Sequence, residues 1–330
     1  MFDLVLQCST PNGVNWPRRQ VVRQRSATPL SAVRICSGPP IIQSASRLRL
    51  ALFFSVESMD LLSPQIIILT LIFGSSAGFL AGLLGIGGGV ILVPLFLWLF
   101  PLAGFPPELV VYTAFGTSLA IIFPTSISST LAHRKRGNVE WHMVGFLAIG
   151  GVVGSLVGSS AAAVIPGATL KMLFGLMQIA VSLKLLFYKR PCIPSEELTK
   201  VSGKSLVIVG FVGGLFSAFF GIGGGVIAVP LMLIFLQLPI HLAIGNSSAL
   251  IVVSSFSAVC SYIWLGMGNH GGMPFSLGYV NLLVAGIVAP LTIVFAKIGV
   301  KLASSINQTK LVKIFAVLLM FIGLKILLKF

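Results

Sequence analysis

The sequence predicts an all-α fold, a polytopic membrane protein of about 8–10 transmembrane or re-entrant helices in two inverted repeats. Composition is the first reason: 56% of the 330 residues are hydrophobic and 9% are charged, where a soluble domain carries about 25% charged residues. The second is a phrase written twice. Gly85-Ile86-Gly87-Gly88-Gly89 returns 136 residues later as Gly221-Ile222-Gly223-Gly224-Gly225, and each copy is followed at the same distance by a proline, Pro94 or Pro230. The third is that equivalent loops of the two halves carry opposite charge bias, as repeats inverted across a membrane do.

Residues 1–58 stand apart from this plan. They hold seven arginines, Arg18, Arg19, Arg23, Arg25, Arg34, Arg47 and Arg49, among serines and prolines, with Asp3 and Glu57 the only acids. The segment reads either as an organellar transit peptide or as a non-native extension ahead of a start at Met59. Residues 59–190 then form the first membrane repeat, 191–204 a cytoplasmic linker and 205–330 the second membrane repeat.

Apolar runs place the elements. The first half offers Pro64–Leu84, Val90–Phe100, Leu109–Ala132, His142–Ile165 and Leu170–Tyr188; the second offers Ser205–Phe220, Val226–Leu236, Leu242–Leu265, Leu277–Ile298 and Leu311–Leu328. Runs of about 20 residues cross the hydrocarbon core. The two short runs after the glycines cannot, and read as half-helices. Ala114-Phe115-Gly116-Thr117-Ser118 aligns with Ala243-Ile244-Gly245-Asn246-Ser247, and Ser182-Leu183-Lys184-Leu185-Leu186 with Gly323-Leu324-Lys325-Ile326-Leu327.

The net charge of +15 is distributed by topology and not as a nucleic-acid surface, since most basic residues beyond the N-terminal segment sit at the ends of apolar runs. His133-Arg134-Lys135-Arg136 and the linker with Lys189, Arg190, Lys200 and Lys204 face the cytoplasm by the positive-inside rule. The loop 266–276 has no basic residue except His270, whereas the turn around Lys301 and Lys310 is basic. An odd number of crossings per half produces that inversion.

Each glycine costs about 1 kcal/mol against alanine inside a helix, so both pentapeptides read as helix breaks. Gly150, Gly154 and Gly158, spaced for close helix contact, read as packing residues. Three adjacent glycines point in every direction, so the duplicated phrase reads as break and binding site together. A half-helix starting there presents unpaired N–H groups and the positive end of its dipole, which holds an oxyanion without any charged side chain. The candidate amides are those of Gly87, Gly88, Gly89, Gly223, Gly224 and Gly225; the candidate side-chain donors are Thr117, Ser118, Asn246, Ser247 and Ser248. Against the hydroxyls stands their habit of bonding their own helix carbonyls.

Other polar residues have plainer readings. His133, His142 and His270 lie beside loops and read as solvated or interfacial; His241 starts a helix and reads as a capping or interfacial residue, a proton role being the alternative. Lys171, Lys184, Lys297 and Lys325 lie near helix ends and snorkel. The carboxylates from Asp60 onward, Glu108, Glu140, Glu196 and Glu197 among them, fall in loops or at helix ends, leaving no acidic intramembrane proton relay. Cys8, Cys36, Cys192 and Cys260 are scattered, without metal or disulfide spacing.

The doubled glycine phrase with its prolines, the doubled small-polar segments and the five-plus-five layout resemble the TauE/SafE sulfite exporter family, over about residues 64–330. The resemblance implies an α-helical permease that exports or exchanges small anions, sulfite or organosulfonates. It needs no cofactor and no metal; its partners are the small-molecule anion and the lipid bilayer, without nucleic acid, and a homo-oligomer is compatible with it. An anion channel and a non-transporting scaffold stay open as alternatives. An enzyme does not, because GIGGGV lacks the lysine and acid of a phosphate loop and no catalytic constellation appears. The expected location is the cell membrane, or the plastid envelope if residues 1–58 are a transit peptide.

Overall fold

The computed structural model describes residues 64–85, 87–186, 201–267, 275–302 and 308–328. Residues 1–58, Lys189, Arg190, Lys200 and His270, which figure in the sequence reading, lie outside these. The described chain is helical apart from one small hairpin. The first half contains α1 (Pro64–Leu84), α2 (Gly89–Leu102), α3 (Pro107–Arg134), α4 (Trp141–Val164) and α5 (Gly167–Leu186). The second contains α6 (Gly203–Phe220), α7 (Gly225–Ile234), α8 (Ile240–Gly266), α9 (Leu282–Leu302) and α10 (Gln308–Leu328).

Helices α3, α4, α6, α8 and α9 are long and apolar enough to cross a membrane. Helices α2 and α7, of 14 and 10 residues, reach only about 21 and 15 Å at 1.5 Å per residue, short of a core about 30 Å thick. The two glycine breaks therefore do end one helix and start a short one, as the sequence predicts. Large apolar side chains such as Ile72, Val153, Trp264 and Phe321 are exposed on the helix bundle, the surface expected of a protein bathed in lipid. Helix α3 lies at the centre: 72% of its most apolar window is buried, against 33–44% for the other four long helices.

Packing repeats between the halves. Helix α1 lies along α9 and α6 lies along α4; α3 packs on α9 and α8 packs on α4; α3 meets α8 and α5 meets α10. Exchanging the halves leaves that pattern unchanged. The two long interfaces close backbone to backbone. A Cβ at Gly154 would stand 2.1 Å from the Phe211 carbonyl oxygen on α6, and one at Gly299 2.1 Å from that of Phe79 on α1. Gly150 and Gly158 face Val207 and Leu215 in the same way, so the packing role read from their spacing is the one they have.

One boundary differs by five residues. The apolar run beginning at Leu277 starts as a hairpin, β1 (Ser276–Leu277) against antiparallel β2 (Val280–Asn281), and α9 begins only at Leu282. Asn281 is the reason: its Oδ1 accepts the Val284 N–H at 2.9 Å, a side-chain cap that starts the helix there. Hydropathy alone does not register it.

Candidate functional site

At both breaks the same three glycines take left-handed backbone angles. Gly85, Gly87 and Gly88 have φ of 65°, 82° and 77°; Gly221, Gly223 and Gly224 have 68°, 91° and 74°. Residues with a Cβ avoid this region, so the composition of the phrase is dictated by its path. Gly88 and Gly224 are the N-caps of α2 and α7, and the N–H groups that open those helices have no intrahelical acceptor. The loops lie against each other. A Cβ at Gly89 would fall 2.6 Å from the Ile222 Cα, and one at Gly87 3.1 Å from the Ile222 carbonyl oxygen. Two helix N-termini, each the positive end of a dipole, thus converge at one junction.

The aligned polar segments brace that junction crosswise, three consecutive residues doing three jobs in each half. Gly116 on α3 and Gly245 on α8 let a loop backbone approach: a Cβ would meet the Tyr279 oxygen at 2.5 Å in one case and the Asn138 oxygen at 1.8 Å in the other. The next residue holds the same loop. Thr117 Oγ1 accepts the Asn281 N–H at 2.9 Å, and Asn246 Oδ1 accepts the Glu140 N–H at 2.8 Å. These donors sit at the entrances to α9 and α4, where backbone N–H groups need a partner. The third residue crosses to the opposite half. Ser118 donates to the Gly221 carbonyl at 2.7 Å and Ser247 donates to the Gly85 carbonyl at 3.1 Å. All four side chains are fully buried. Ser248 turns back on its own helix, donating to the Ile244 carbonyl at 3.0 Å, with Ser129 Oγ 3.3 Å away.

Gln178 on α5, which the apolar reading of that run passes over, also belongs here. Pro94 has no N–H to give the Val90 carbonyl four residues earlier, and Gln178 Nε2 donates to that carbonyl at 3.0 Å. Its Oε1 is buried without a partner. The signal was available: a lone glutamine in an apolar helix with a proline inside the neighbouring half-helix. The second half repeats the proline at Pro230 but has Leu319 where Gln178 aligns.

His133 is corrected by the structure. Its place beside a basic loop suggests a solvated ring, yet it is 3% exposed, because α3 runs on to Arg134 and the ring tucks against the end of α1, Nε2 3.2 Å from the Gly82 oxygen. His142 is exposed, as are Lys184, Lys297 and Lys325, in keeping with snorkelling. A cavity of about 440 Å³ lined by Leu97, Pro101, Val110, Gly167 and Lys171 opens at the far end of α2 from the glycines.

Sequence comparison with known proteins places the chain in a family. The sulfite exporter TauE/SafE family profile matches residues 70–326. A probable membrane transporter protein of Haemophilus influenzae is 34% identical over 265 residues, covering 80% of this chain and 98% of its own. One from Methanocaldococcus jannaschii is 30% identical, covering 74% of this chain and 88% of its own, and Bacillus subtilis YunE is 29% identical, covering 79% and 97%. No solved structure gives a significant match. With a family profile spanning most of its length and relatives aligned nearly end to end, the chain belongs to the TauE/SafE sulfite exporter family of membrane transporters.

Proposed function

We propose that the chain is a permease that exports or exchanges a small oxyanion, sulfite or an organosulfonate, at the junction of its two glycine-broken half-helices. The observation that carries this reading is the convergence of two helix N-termini, capped by Gly88 and Gly224, in loops whose missing Cβ atoms let backbone pack directly on backbone in this conformation. The amides of Gly87, Gly88, Gly89, Gly223, Gly224 and Gly225 supply the donors. Ser118 and Ser247 tie the loops shut in this conformation; parting the loops releases both hydroxyls toward the anion, beside Thr117, Asn246 and Ser248, which order the surrounding helices.

The halves act as inverted repeats in this reading, supported by the packing pattern that survives their exchange and by the opposite charge bias of equivalent loops. Alternating access then rocks one pair of long helices against the other about the fixed junction. The cell membrane is the proposed location.

The test is transport by purified residues 59–330 in proteoliposomes loaded with sulfite and challenged with sulfite, sulfate, a sulfonate and chloride. Saturable exchange, competed selectively by sulfite or sulfonates, is the expected result. Unsaturable flux would replace the carrier by a channel, and no movement of any sulfur oxyanion would overturn the substrate class.

A further inference from the structure

The two halves differ most tellingly three residues before the first glycine of each break. In the second half the carbonyl of Ala218 accepts a hydrogen bond from the Tyr262 hydroxyl at 2.9 Å. In the first half the matching carbonyl belongs to Gly82, and the residue aligned with Tyr262 is His133, whose Nε2 stands 3.2 Å from it. Both side chains cap the end of a helix that runs into the glycines. The tyrosine completes that task with its single polar atom. The histidine completes it with one nitrogen and keeps a second, Nδ1, which is buried and has no partner. One turn earlier Thr130 Oγ1 is likewise buried and unpartnered, where the second half has Val259. Positions three apart on a helix share a face. The first half thus replaces a Val–Tyr pair, whose one side-chain polar atom is bonded, by a Thr–His pair and leaves two buried polar atoms without a hydrogen-bond partner, a condition that is costly unless it is used.

We infer that His133 Nδ1, beside Thr130, is a proton-binding site that couples anion transport to proton movement. The step is a simple one: with the Nε2 proton held on the Gly82 carbonyl, the Nδ1 lone pair takes a proton from a hydronium ion, leaving water, when the site opens on one side, and gives it back to water on the other. Among the described residues His133 is the one buried histidine, with a ring nitrogen that has no hydrogen-bond partner, and on this proposal it fills the role that an intramembrane carboxylate fills elsewhere. The charged and titratable groups facing it are Arg136, in the loop after α3, and His241, in the first turn of α8. Arg136 is anchored on the Val300 and Lys301 carbonyls at 2.6 and 3.3 Å, so a charge at His133 is felt at the end of α9. Helices α1 and α2 carry no charged side chain, and the remaining charges on packed elements are Lys171 and Lys184 of α5, Lys204 of α6, and Lys297 and Lys301 of α9.

This inference rests on the transporter reading but not on which anion is carried. Its test converts the first half to the chemistry of the second with H133Y/T130V, a variant that keeps the cap on Gly82, alongside H133Q. In proteoliposomes with a gradient of one pH unit, wild type is expected to accumulate sulfite up to about tenfold, the equivalent of one coupled proton. H133Y/T130V should exchange sulfite at equal pH like wild type but accumulate none. Accumulation by the variant equal to wild type, or wild-type exchange indifferent to the gradient, would overturn the proton site while sparing the anion site. If wild type moves no sulfur oxyanion, ¹⁵N-histidine spectra of the same liposomes between about pH 5 and pH 8 decide. Protonation of His133 there upholds the proton site though the anion reading has failed; a ring neutral throughout removes it.

Discussion

The Ser118 hydroxyl on α3 caps the Gly221 carbonyl at the end of α6, 2.7 Å across the boundary between the halves. The carbonyls that end a helix lack intrahelical donors, and Gly221 sits where the chain turns left-handed, so its oxygen depends on a side chain from elsewhere. Ser118→Ala therefore strands a buried acceptor. The expected loss is about 1–3 kcal/mol of stability, read as a lowered unfolding midpoint in detergent, with Ser247→Ala losing a similar amount at Gly85. Unchanged midpoints in both variants would show that the cross-half bonds contribute nothing.

Gly224 and Gly104 separate strain from space. Their φ angles are 74° and 76°, but a Cβ at Gly224 would stand 2.3 Å from the Gly213 carbonyl oxygen while one at Gly104 meets nothing within 4 Å. Gly104→Ala should cost only the left-handed penalty, about 1–2 kcal/mol. Gly224→Ala should lose at least twice that or fail to fold, because backbone must move. Equal melting points for the two variants would contradict this geometry.

Gln178 and Pro94 form a pair that a double-mutant cycle can expose. Gln178→Leu removes the donor to the Val90 carbonyl and should destabilise by about 1–3 kcal/mol. Pro94→Ala restores a backbone N–H to the same carbonyl. In that background the cost of Gln178→Leu should fall by about 1 kcal/mol or more; strict additivity would mean the glutamine serves some other partner.

Asn246 is expected to need its oxygen more than its amide nitrogen. Asn246→Asp keeps an acceptor for the Glu140 N–H, whereas Asn246→Leu removes it. Limited proteolysis in the Lys135–Glu140 loop should be markedly faster in Asn246→Leu than in Asn246→Asp. The opposite order would shift attention to the weak contact of Nδ2 with Met143 Sδ, 3.8 Å long.

Much of this was legible in the sequence because lipid simplifies the code. Apolar runs placed nine of the ten described helices within a few residues of their observed limits, since a membrane helix is written in hydropathy. The exception, α9, began with an asparagine cap that hydropathy does not see. The glycine phrases announced the breaks because three left-handed positions within four residues tolerate almost nothing else. Partners were the illegible part. That Ser118 reaches Gly221 and not its own helix, or that His133 is buried, depends on which helices lie side by side, and the halves interleave: α1 pairs with α9 and α4 with α6. Gln178 escaped for the same reason, its meaning residing in a proline on another helix.

The crosswise bracing also bears on how the chain is made. Gly85 enters the membrane early in synthesis, yet the hydroxyl that satisfies its carbonyl lies 162 residues further on, at Ser247. Helix α1 must likewise wait for α9 before its glycine face is covered. The first half therefore leaves the translocon with partners for its glycine break and its α1 packing face still to be made. Quality control that inspects nascent membrane proteins would meet a half-made chain of this design as a client until the last helices arrive.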